Sequence, residues 1–96
     1  MKLIKDENAG VLKVSGTLDI DAANSLREAI LDCLLHQPEV TADLSEVDGC
    51  DAAALQVLLS GRAGGVRLMV SRAVSETATA LGFAIDERGK GGPDGR

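Results

Sequence analysis

Residues 40–60, VTADLSEVDGCDAAALQVLLS, change local pattern abruptly and so restrict the fold more than any other stretch. Val40, Ala42 and Leu44 alternate with Thr41 and Asp43, the period-two pattern of a short strand over residues 40–44. Residues 52–59 are apolar apart from Gln56 and rich in alanine, too long a run for a second strand, and read as a buried helix. Between the two, residues 45–51 read as a loop carrying Glu46, Asp48 and Asp51, with Asp51 standing where a helix N-cap belongs. This acidic loop is the candidate working surface.

Composition limits what such a surface can do. A chain of 96 residues suits one domain with one modest core and no deep cleft between domains. Phe83 is the only aromatic residue, so the core must be built from Leu, Val, Ile and Ala. The net charge of −5, with no clustered Lys or Arg, argues against nucleic acid and anionic membrane surfaces as partners. Two cysteines, Cys33 and Cys50, form no disulfide framework or metal-ligand spacing, and free thiols point to a reducing, cytoplasmic setting. The first ten residues are charged too early for a signal peptide, and no apolar run approaches the roughly 20 residues of a membrane span.

In chain order, residues 2–6 and 11–15 predict an antiparallel hairpin turned by residues 7–10 and ended by Gly16. A helix follows, capped by Asp21 and stopped by Pro38, with Ala22, Leu26, Ala29, Ile30, Cys33 and Leu34 along one face. After the central strand, loop and helix, Gly61, Gly64 and Gly65 predict a turn into a buried strand at residues 66–70. Ser71 then caps a third helix with Val74, Ala78 and Leu81 inside and Gly82 at its C-terminal end. Residues 83–85 suggest a last short strand. The domain is placed at residues 1–87, with 88–96 a frayed, glycine-rich tail. The alternation identifies an α/β fold: a mixed, mostly parallel sheet of four to five strands, an N-terminal hairpin and about three helices. Right-handed crossovers bring the turn at 16–21 and the loop at 45–51 to one edge.

Three ordered stretches, Gly16-Thr17-Leu18-Asp19 before an amphipathic helix, Asp43-Leu44-Ser45 with Val47, and Asp51-Ala52-Ala53-Ala54-Leu55-Gln56-Val57-Leu58-Leu59, resemble the STAS domain of bacterial anti-sigma-factor antagonists over residues 10–83. In that family a hydroxyl residue directly after the Asp is phosphorylated by a partner kinase; this chain has Ala52 there. A phosphate would add about −1.5 to −2 charges beside Asp51 and Asp19, and alanine cannot accept one. The resemblance therefore implies a non-enzymatic, cytoplasmic module for partner switching or chemosensory signalling, fixed in its unmodified form and needing no cofactor or metal. Its implied partner is a kinase-like anti-sigma factor, a sensor kinase or a chemosensory protein. The contact residues would be Asp19, Asp48, Asp51, Ala52, Ala53, Ala54 and Gln56. The alternative is a small cytoplasmic subunit of an ABC-type lipid transporter, docked on its ATPase.

Plainer roles stand beside these. Asp51 reads first as a cap, Asp19 equally as a residue that caps or holds the turn before the first helix or as a contact residue, and Asp48 and Glu46 as solvated loop charges. Asp43 needs a hydrogen-bonding neighbour, His36 suits a helix C-terminus, and Cys50 beside Asp51 lacks a base that would make it a nucleophile. Residues 61–65 lead from helix to strand, the reverse of a phosphate-binding loop.

Overall fold

The computed structural model describes residues 1–6 and 8–83. Their elements run β1 (Lys2–Asp6), β2 (Val11–Leu18), α1 (Ile20–His36), β3 (Thr41–Cys50), α2 (Ala52–Ala63), β4 (Arg67–Val70) and α3 (Arg72–Ala80). The strands form one sheet in the order β1-β2-β3-β4, with β1 antiparallel to β2 and the other pairings parallel. This is the predicted α/β architecture with its N-terminal hairpin. No helix among the described residues is long and apolar enough to cross a membrane.

Period-two alternation explains the sheet's two faces. Leu12, Val14, Ala42, Leu44, Leu68 and Val70 are buried, while Lys13, Arg67 and Met69 between them are exposed and Asp43 is half-buried. Helices α1 and α2 each link the end of one parallel strand to the start of the next, so right-handed crossovers lay them parallel to each other on the buried face. Leu26 and Ile30 of α1 and Leu55 and Leu58 of α2 all belong to that core, where the two helices pack against each other. Full burial of each such leucine contributes about 1.5–3 kcal/mol, so a core without aromatic rings is sufficient for a chain this size. The described residues measure 34 × 33 × 19 Å, a thickness that fits one sheet under one helical layer.

Several boundaries differ from the sequence reading. The chain does not loop at residues 45–51: β3 runs on to Cys50, and β2 runs through Gly16 to Leu18 to pair with it. The pairing survives because the register moves by one residue at two places, which leaves β3 one residue longer at each. Near the first of these, Asp43 Oδ1 accepts from the amide of Ser45 at 3.0 Å and from its hydroxyl at 2.7 Å, the local partner Asp43 was expected to need. Strand β4 stops at Val70, opposite Leu44, so among the described residues the upper half of β3 has no strand on that side. Helix α3 packs against β3 instead, and Thr77 Oγ1 donates to the carbonyl of Cys50 at 2.9 Å.

Helix ends show similar differences. Asp19, not Asp21, caps α1: its backbone is extended and its carboxylate accepts from the Ala22 amide at 2.9 Å, whereas Asp21 already lies in the first helical turn. Gly61 belongs to α2 rather than to a turn, because it is the contact point with α1; a Cβ there would lie 3.5 Å from two methyl groups of Ile30. Gly65 and Gly82, both at positive φ, follow α2 and α3 in the way glycine ends helices, with Val66 N–H donating to Gly61 and Phe83 N–H to Ala78. Leu81 is 48% exposed and falls outside the inner face of α3. Phe83 is not in a strand, and the rest of the suggested fifth strand lies outside the described residues, as does the tail.

Candidate functional site

The ends of β2 and β3 build one edge of the sheet, and each hands the chain directly to a helix. Leu18 pairs with Cys50 in the final rung, so the residues that follow, Asp19 and Asp51, stand side by side. Each caps its helix with Oδ1: Asp19 accepts from Ala22 N–H, and Asp51 from Ala54 N–H at 3.1 Å. The Asp51 amide donates to the Leu18 carbonyl at 2.9 Å, which locks the second helix start to the end of the neighbouring strand. Two parallel helix N-termini, each carrying a carboxylate, thus share one edge. Capping of this kind contributes about 1 kcal/mol per helix.

The proposed contact residues separate under this geometry. Asp48 is exposed and accepts from Thr17 Oγ1 at 2.8 Å, so it belongs to the same edge. Ala52 is exposed at the first position of α2, Ala53 is half-buried and Gln56 is exposed one turn on. Ala54 does not belong with them: its side chain is fully buried, because its place one step beyond Ala53 turns it into the core. It takes part only through the amide that Asp51 caps.

Two features escaped the sequence. Ile20, the first residue of α1, is 69% exposed, which makes it an apolar contact beside two acids; its position off the buried stripe of α1 was the available signal. Thr77 lies 27 residues from Cys50, and no local pattern links them. Together with the Leu18 carbonyl, it fixes the backbone immediately before α2.

Chemistry at this edge is restricted. Burial, and then the neighbouring Asp51, push the Cys50 thiol up to about 11, which keeps it protonated and poorly nucleophilic at neutral pH. His36 accordingly serves the other end of α1, its Nδ1 2.8 Å from the Asp32 carbonyl. Among the described residues no group of three or more His, Cys, Asp or Glu side chains is placed to hold a metal ion.

The fold and this edge define a class: a small single-sheet α/β domain that displays paired, acid-capped helix starts. The chain belongs to the STAS domain family, for the family model described as "Mlab, STAS domain" matches residues 1–84. Among curated proteins none matches.

Proposed function

We propose that this chain is a non-enzymatic docking module whose partner reads the edge formed by Asp19, Asp48, Asp51, Ala52 and Gln56. The observation that carries the proposal is the pairing of Asp19 and Asp51 on adjacent strand ends, which offers two carboxylates and the exposed Ile20 and Ala52 as one surface. The partner class is a kinase-like anti-sigma factor, a sensor kinase or a chemosensory protein of a partner-switching system in a bacterial cytoplasm. With Ala52 where the family carries its phosphate acceptor, the surface stays in the binding state, and control passes to partner abundance or to the partner itself. Stoichiometric phosphate on Ser45 after treatment with the cognate kinase would overturn that second point.

The matching family is described as Mlab rather than as an anti-sigma-factor antagonist, and this favours a second reading, the small subunit of an ABC-type lipid transporter resting on its ATPase. Both readings use the same edge. The test is affinity capture with the tag after Arg96, wild type beside Asp51→Lys, with mass spectrometry of the retained proteins. Recovery of a kinase-like or chemosensory protein by wild type alone supports the first reading; recovery of a transporter ATPase moves the chain to the second. Equal recovery by both forms removes Asp51 from the contact surface. A side-by-side Asp51→Asn variant, which keeps a cap, separates lost binding from lost folding.

A further inference from the structure

From the acidic edge an open groove runs between α1 and α2, with a volume of about 550 Å³. Its walls are Ala23, Leu31 and Leu34 on one side and Ala53, Val57 and Gly64 on the other. With Arg27 and Ile30 added on α1, and Gln56, Ser60 and Gly61 on α2, the lining follows three- and four-residue steps, so both helices present a ridge-and-groove surface of helical period. Small, half-buried residues at Ala23 and Ala53 leave the groove open to close approach by another backbone. From Ala53 to the C-cap Gly64 the groove extends along eleven residue steps of α2, about 17 Å at 1.5 Å per step, the length of three turns.

Charge is distributed unevenly along it. Asp19, Asp21 and Asp51 stand at the end where both helices begin, while Arg62 lies in the last turn of α2 and His36 in that of α1. Arg27 lines the middle of the groove, is exposed, and has no ion-pair partner among the described residues.

We infer that the groove takes a single amphipathic helix of the partner protein, three to four turns long, antiparallel to α1 and α2, with Lys or Arg at its C-terminal end. This deepens the docking reading and rests on it. The antiparallel direction places the helix's cationic last turn against Asp19 and Asp51, and a cation at a helix C-terminus also complements that helix's own dipole. Its apolar stripe fills the space between Leu31, Leu34 and Val57, and an acid near its middle meets Arg27. Grooves of this kind are read by anchors at i, i+3, i+4 and i+7.

The test is a display selection with a library of 18-residue helical peptides, random along one face, panned on the folded wild-type protein and on an unrelated protein of similar charge. Enriched peptides should carry three- or four-spaced apolar residues with basic residues toward the C-terminus. The best of them, measured by fluorescence anisotropy, should bind Val57→Glu and Leu31→Gln more than about tenfold more weakly, as expected for loss of central anchors. Moving its basic residues to the N-terminal end should weaken binding about threefold or more, with the difference shrinking at high salt. Circular dichroism of each variant reports that the fold is intact. Peptides that bind both groove variants as tightly as wild type, or no enrichment over the unrelated protein, overturn the inference. If cellular capture depends on Asp51 but not on Val57 or Leu31, the docking reading stands while the helix in the groove falls; if capture fails altogether, the reading beneath it falls too.

Discussion

The starts of α1 and α2 use the same chemistry and are held differently. Both are capped by an Asp whose Oδ1 accepts from the amide three residues on. At the start of α1, however, Asp19, Ile20 and Asp21 are all exposed, and the first helical residue is the solvent-facing Ile20. Around Asp51 the backbone is tied twice to distant parts of the chain, to Leu18 through its own amide and to Thr77 through the preceding carbonyl. The difference teaches that a cap shared by two helices is a local device at one and part of a long-range network at the other. In the proposed docking, α2 would present the doubly anchored start and α1 the exposed apolar Ile20.

The largest effect on this comparison should come from Leu18→Ala. Leu18 is fully buried beneath both helix starts, so the cavity should cost about 2–5 kcal/mol and blur the distinction between them; urea denaturation measures it. Next in size is the pair of cap removals. Asp51→Ala should cost about 1–2 kcal/mol, and Asp19→Ala about 0.5–1 kcal/mol, because Asp51 is half-buried at a start tied to Leu18 and Thr77 whereas Asp19 is exposed. Equal losses in thermal or chemical denaturation would erase the proposed difference.

Thr77→Val should cost about 1 kcal/mol by leaving the Cys50 carbonyl without its hydroxyl donor. Its more informative outcome is in double-mutant cycles: coupling of about 0.5 kcal/mol or more with Asp51→Ala, and simple additivity with Asp19→Ala. The smallest expected effect concerns pH. The Cys50 thiol is raised in the folded chain from about 9 to about 11, so the neutral form is favoured by folding. That contribution is complete below the unfolded value and disappears as pH rises through the folded one. Alkylation of Cys50 by iodoacetamide in the native protein should therefore keep accelerating above pH 9, where a free thiol would level off, and Asp51→Asn should move the profile slightly down.

Much of this was legible in the residues because it is written locally. The alternation in Val40, Ala42 and Leu44 and the spacing of Leu26, Ala29 and Ile30 depend on strand and helix periods alone, and they point to the α/β class and to the order of strands and helices along the chain from β1 to α3. Ser71 and Asp51 were recognisable as caps for the same reason. Residues 45–51 were misread as a loop because their acids and glycine match turn composition, while their strand character comes from pairing with β2, a partner some thirty residues away. Asp19 and Asp21 offer the same side chain two positions apart, and only the backbone angles choose between them. Of the working edge, the residues were visible and the adjacency of Asp19 to Asp51 was only inferred from the crossover rule; the groove behind it, a property of two helices together, left no trace in either one's pattern.

The hairpin has an experimental consequence. Lys2 pairs with Ser15, and a Cβ built on Gly16 would lie 3.4 Å from the Met1 Cα, which places Met1 one rung from Thr17, whose hydroxyl donates to Asp48. Anything attached ahead of Met1, whether purification handle, fluorophore or fused reporter, would emerge beside the edge on which a partner is proposed to sit. A negative two-hybrid or immobilisation result obtained with such a fusion would report the label's bulk rather than the protein's preference.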